Sequence, residues 1–223
     1  PEMRERDPVN ELLARGPSSR LSAEEVRDAS LAAAGLLART IGGPGVKTYE
    51  SPGLWKDAAS IDYVQDHGES LYRRSLYSYW KRTIPPSSML TLDAPTRESC
   101  VARRENTATP LQSLLLLNDV QYIEAARSLA ESELQDAKCT DDARLTRIFR
   151  RLIGRFPSER ELGILKQTFD QQRMMFAASP DDAKAYVATG EHPIDESLDP
   201  VRVASLTSVA QLVMNFDEFV VKP

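Results

Sequence analysis

The 223-residue chain holds only two cysteines, Cys100 and Cys139. Two are too few for a disulfide scaffold. No Cys-x-x-Cys or Cys-x-x-Cys-His occurs, so nothing points to structural zinc, a redox dithiol or covalently attached haem. A single Cys100–Cys139 bridge stays open, and with it the redox compartment. Histidine is as scarce, with His67 and His192 the only two. A Gly-x-Ser-x-Gly nucleophile elbow is absent. No run nears the ~20 apolar residues of a spanning helix, and the leucine run Leu114 to Leu117 is far too short for one. Basic charge is not in excess either. Lys and Arg total 28 against 33 Asp and Glu, a net charge of −5. That argues against a broad nucleic-acid footprint, which needs a basic face, and leaves room only for a local one. The start, Pro1-Glu2-Met3-Arg4, lacks the apolar core of a signal peptide and an initiating Met, and reads as a cut inside a longer protein. What is present is 41% apolar and 27% charged residues, with a mean hydropathy of −0.39. This is the composition of a globular protein, not of a disordered or fibrous one.

The periodicity is mainly helical. Ser22 and Glu25 form a capping-box pair opening a helix from about Ser22 to Thr40, with Gly42-Gly43-Pro44-Gly45 as its stop. Residues 46–66 read as a long ordered loop. Alternation of Leu76, Ser78 and Trp80 with Tyr77 and Tyr79 favours a short strand, and Met89 to Leu92 can pair with it as a hairpin. A helix led by Asp93, Pro95 and Glu98 is expected toward Arg103 and Arg104. Thr109-Pro110-Leu111-Gln112 reads as a second capping box, opening a leucine helix expected to be the most buried. Further helices are capped by Asp119, Thr140, Ser158 (with Glu161) and Asp199, and Gly154 ends the one begun at Thr140. An acidic connection spans residues 190–199. The expected fold is mainly α, a single multi-helix domain over residues 1–223, with a loop-rich aromatic insertion at 42–95 and at most one short β-hairpin.

Seven of the nine Tyr and Trp residues lie between Tyr49 and Trp80. Planar rings beside arginines and carboxylates can stack on, and hydrogen-bond to, a sugar-like ligand. The candidate ligand-binding residues are Arg73, Arg74, Tyr77, Trp80, Arg82, Asp93, Arg97, Arg103 and Arg104. In this reading the rings stack, the guanidinium groups hold acidic or hydroxyl-rich groups, and Asp93 orders them. The competing reading is structural: a loop region poor in aliphatics uses rings as core and arginines to satisfy its carbonyls. His67, beside Asp66 and Glu69, is the one candidate general acid or base. No metal site is expected, because the acidic pairs at Asp141 and Asp181 stand where helix starts favour negative charge. Gly42 to Lys47 follows a helix and lacks the Lys-Ser/Thr ending of a phosphate loop. The basic run Arg144, Arg147, Arg150 and Arg151 reads as a solvated helix face.

Several strings taken together resemble one family. They are Arg20 to Ala29, Ile41-Gly42-Gly43-Pro44, Tyr72 to Tyr77, Trp80 to Thr83, Asp93 to Glu98 with Cys100, Thr109 to Asp119, and Asn215 to Phe219. They are similar to a planctomycete-specific domain of unknown function that forms the C-terminal part of large, secreted, cytochrome c-like multidomain proteins. The chain departs from the family's usual Arg-Thr-Asn-Thr at Asn106-Thr107-Ala108-Thr109. The resemblance implies a secreted, periplasmic or cell-surface setting. It also implies upstream modules of the same polypeptide as partners, with polysaccharide nearby and haem c held upstream, so that no cofactor is expected in this chain. It carries no catalytic residues. The function expected is a non-catalytic accessory domain that packs against neighbouring modules or holds a glycan-like ligand. Two alternatives stand beside it: a polysaccharide-active enzyme using His67 and a carboxylate (Asp66, Glu69, Asp93 or Glu98), and a docking module for electron transfer.

Overall fold

The computed structural model describes residues 5–14, 16, 18–59 and 62–222. It is 54% helix and 4% strand, which makes the fold mainly α. The helices in chain order are α1 (Ala23–Ala34), α2 (Leu54–Ala59), α3 (Ser87–Thr91), α4 (Pro110–Asn118) and α5 (Val120–Leu134). They continue with α6 (Asp141–Ile153), α7 (Glu159–Ala178), α8 (Pro180–Val187), α9 (Pro200–Met214) and α10 (Asp217–Val220). Two 3-10 turns, Gly68–Tyr72 and Ser75–Tyr77, lie between α2 and α3. The strands β1 (Ser19–Arg20) and β2 (Val221–Lys222) pair antiparallel, bringing residues near the two ends of the chain together.

The core is built around α5 and α9. Helix α9 packs on α5, α6, α7 and α8, and α1 packs on α5 as well. Ala204, Leu206, Val209, Ala210, Val213 and Met214 of α9 are fully buried, as are Ala125, Ala126, Leu129 and Ala130 of α5. Small residues on α5 let neighbouring helices approach closely, while leucines and Phe149 fill the space between layers. The expected caps at Ser22, Asp119, Thr140, Ser158 and Asp199 all accept a backbone N–H at their helix starts.

Several local expectations are corrected. Helix α1 stops at Gly35, not at the Gly42–Gly45 turn. Gly35 adopts φ 78°, and a Schellman closure follows, with Gly35 N–H donating to Ala32 O and Leu36 N–H to Leu31 O. A left-handed glycine inside an Ala/Leu run looks like a tolerated helical residue until its φ is known. The expected hairpin over 71–92 is absent. Its first half forms the 3-10 turns and its second half forms α3, because buried Arg27 takes the carbonyls of Leu71 and Arg73 for itself. The first half instead makes isolated parallel bridges, Ala38 with Arg73 and Val46 with Ser78. The helix expected toward Arg104 is replaced by an irregular loop, with Asp93 and Arg97 both at φ 65°. The 46–66 loop contains α2. Arg144 is buried, not solvated: it donates to the carbonyls of Glu133 (3.1 Å) and Asp136 (2.7 Å) and pairs with Asp141. Cys100 and Cys139 are both free thiols.

Candidate functional site

The residues singled out in the sequence fall into three separate groups. Arg73 and Tyr77 form the first. Arg73 is buried, donates to Pro44 O (2.7 Å) and Gly42 O, and lies 4.0 Å over the Tyr77 ring. The Tyr77 hydroxyl accepts from Gly42 N–H (2.8 Å). Together they satisfy the polar backbone of the 42–45 turn. Neighbouring Arg74 is half-buried.

The second group lies along the loop that follows α3. Asp93 closes that loop on itself, accepting from the backbone N–H (2.7 Å) and hydroxyl (2.9 Å) of Thr107. Arg97 stacks 4.3 Å over Trp80, and the Trp80 indole N–H donates to Thr96 O (3.1 Å). Arg104 makes a two-pronged bond to Glu24 of α1 (2.7 and 3.1 Å). Burial is the largest influence on Glu24 and opposes its ionisation, but the Arg104 hydrogen bond, a backbone hydrogen bond and the charges of Arg104 and Arg97 together outweigh it, and its pKa is lowered. Arg97 and Arg104 share a shallow groove of about 750 Å³ with Leu21, Glu24, Asp28 and Leu76. Arg82 and Arg103, the third group, are exposed and form no ion pair among the described residues.

His67 is exposed, and its Nδ1 lies 2.8 Å from Glu191 Oε1, an oxygen that also accepts from Gln65. Asp66 is engaged elsewhere, accepting from Lys47 N–H (2.7 Å). His192 is half-buried, edge-on to Tyr72 at 6.2 Å, and not the solvent-facing residue its acidic surroundings suggest.

Helix α4 is the largest departure from expectation. It was expected to be the most buried helix, yet Leu111 is 60% exposed, Leu114 54% and Leu117 41%, while Gln112 is 2% exposed. Gln112 faces in beside Leu116, and three of the five leucines face out. Gln112 explains the inversion. It does not close a capping box. Its carbonyl oxygen accepts from Arg20 (2.7 Å), and its amide donates to Asp93 (3.0 Å) and Thr107 (3.2 Å). From α9, Gln211 donates to the carbonyls of Leu116 (3.2 Å) and Leu117 (2.9 Å). The inner side of α4 thus combines polar anchors with buried Leu116, and the outer side is an uncharged row of leucines continued by exposed Val120. The row leaves a contiguous apolar strip open to solvent on a short surface helix. The signal was present in the sequence: Gln112 and Leu116 share one side of the helix, and Leu111, Leu114 and Leu117 lie on the other.

A family model described as PSD1, protein of unknown function (DUF1553), matches residues 1–169, a span that includes α4 and the 93–107 loop. No curated protein and no solved structure matches the chain.

Proposed function

Because the chain belongs to the PSD1 family of proteins of unknown function, we propose that it is a non-catalytic accessory domain whose outward leucine face packs against a neighbouring module of the same polypeptide. One observation carries the reading: α4 buries Gln112 and exposes Leu111, Leu114 and Leu117. Area decides between a free partner and a tethered one. Three leucines and a valine offer a few hundred Å², whereas a stable complex of free proteins takes roughly 800 Å² from each side. A covalently linked module is held at an effective concentration on the order of millimolar, and a small apolar face then suffices. The resemblance to C-terminal domains of secreted, cytochrome c-like multidomain proteins supports such a neighbour. In this reading haem belongs to an upstream module and this chain carries none. Among the described residues, no helix is long and apolar enough to cross a membrane.

The test replaces Leu111, Leu114 and Leu117 with serine. In the isolated chain, stability should change by no more than about 0.5 kcal/mol for each exposed site. In a polypeptide that includes the adjoining module, hydroxyl-radical footprinting should find these leucines protected, and the triple variant should free the module for proteolysis. Equal labelling of the leucines with and without the adjoining module would sink the proposal. A dimer of the isolated chain that the variant dissociates would give the face to a second copy instead.

A further inference from the structure

A second feature, remote in the sequence from the leucine face, lies where α2 meets the aromatic loop. A recess of about 260 Å³ is lined by Glu50, Trp55, Lys56, Asp62, Tyr63 and Gln65, among others. Trp55 is 6% exposed, and its indole Nε1–H is buried with no acceptor among the described residues. A buried donor left unpaired costs on the order of 1–3 kcal/mol, so this N–H calls for an acceptor that the described residues do not provide. The surroundings are firmly built. Trp55 and Tyr63 pack at 5.0 Å between ring centroids, Lys81 covers the Trp55 face at 5.1 Å, and the Tyr63 hydroxyl is tied to Thr48 O (2.6 Å). Glu50 is oriented by Ser87 of α3, which donates both its backbone N–H (3.2 Å) and its hydroxyl. Gln65 uses its amide N–H on Glu191 (2.7 Å). Among the described residues, neither Lys56 nor Asp62 enters an ion pair.

We propose that this recess is a binding site for a single neutral, hydroxyl-rich ring of the sugar class. A hydroxyl group can accept from the Trp55 N–H while donating to a carboxylate such as Asp62. The partly positive C–H face of a sugar ring suits the negative face of an aromatic ring, which Tyr63 brings to the lining. Volume limits the ligand, because sites for drug-sized molecules run from about 300 Å³ upward; this one takes a ring and not a chain. Charge limits it further. Glu50 and Asp62 are set against Lys56 in the lining and Lys81 on the Trp55 ring, so the recess offers no surplus positive charge to hold a uronic or sulfated sugar.

The experiment titrates the intact chain with methyl hexosides, methyl glucuronide and a sulfated hexose, following the two indole N–H resonances by NMR. A neutral hexoside is expected to shift the Trp55 resonance at millimolar concentration and leave that of Trp80 in place. Exposed Asp62→Asn, which leaves the core intact, should weaken that binding by about tenfold. Trp55→Phe should remove the shifting resonance and, if still folded, lower affinity to a similar degree. No movement of the Trp55 resonance with any neutral sugar in the folded wild type would overturn the site. Tighter binding of the glucuronide or the sulfated sugar would overturn the ligand class.

Discussion

A Cβ placed on Gly190 would collide with the Glu124 carboxylate, first with Oε1 and then with Cδ at 2.6 Å. The approach is close because Glu124, fully buried on α5, gathers the loop around that glycine. Its Oε1 accepts from the backbone N–H groups of Glu191 and His192, both at 2.6 Å, and from the hydroxyls of Tyr49 (3.1 Å) and Tyr72 (3.0 Å). Gly190 also sits at φ 92°, in the region L side chains avoid. Gly190→Ala is therefore expected to lower stability by about 2–4 kcal/mol, combining backbone strain with a displaced carboxylate. A urea midpoint close to wild type would show that the loop can move off Glu124 at little cost.

The same carboxylate predicts a graded response. Tyr72→Phe removes one of four donors and should cost about 1 kcal/mol. Glu124→Ala takes the shared acceptor from the His192 N–H and from both hydroxyls, leaves the Glu191 N–H only the Tyr49 oxygen, and should cost about 3–5 kcal/mol. Burial first, and then the charge of Glu124, push the ionisation of Tyr49 and Tyr72 above the ordinary phenol range, so both hydroxyls stay protonated donors. Chemical denaturation of the two variants checks the order. If they cost the same, Glu124 would not be the organising group.

Much of the helical frame was legible because it is written in local chemistry. Ser22 with Glu25, and Ser158 with Glu161, satisfy helix starts through contacts three residues apart, and a sequence displays that spacing directly. The insertion was not legible, because its backbone is set by partners far along the chain. Residues 71–75 curl around Arg27 and Asp28 of α1, and residues 190–193 around Glu124 and Arg127 of α5. Without those partners, alternating aromatics read as a strand. Of the candidate site, the chemistry of the aromatic and arginine cluster was visible, but its division into separate groups was not. Trp55, Tyr63, Glu50 and Asp62 went unchosen because their shared recess depends on how α2 folds back.

Arg27 illustrates the long-range kind of anchor and carries its own prediction. Its guanidinium is 1% exposed and donates to Gln121 (2.6 Å), Leu71 O (2.7 Å), Arg73 O (2.8 Å) and Ser75 Oγ (3.1 Å). A lysine keeps the charge but cannot reproduce a planar fork reaching four acceptors. Arg27→Lys should therefore cost about 3–5 kcal/mol, as for breaking a buried charged network. Hydrogen exchange should quicken at Arg73 and Tyr77, whose amides close the 3-10 turns. Near-wild-type stability would mean that apolar packing alone, and not the fork, shapes residues 71–77.

The last prediction concerns acid stability at the junction of α7 and α10. Arg155 bridges Glu161 (2.6 Å) and Glu218 (2.5 Å), and Glu161 also accepts from Ser158 N–H (2.7 Å). The Arg155 hydrogen bond, followed by the Ser158 bonds, holds the Glu161 carboxyl down to about 2, from an ordinary value of 4.5. A carboxylate depressed on folding contributes stability that is complete above its unfolded pKa and fades as pH falls toward the folded one. The relevant window is therefore from about 4.5 down to about 2. Arg155 and Glu218 are largely solvated, so screening reduces the gain to about 1 kcal/mol near neutral pH. Glu161→Gln should lose that amount at pH 7, and the gap from wild type should narrow steadily below pH 4.5. Urea denaturation of both proteins across that range checks the sign. A gap that stays constant with pH would assign the effect to the helix cap and not to the ion pair.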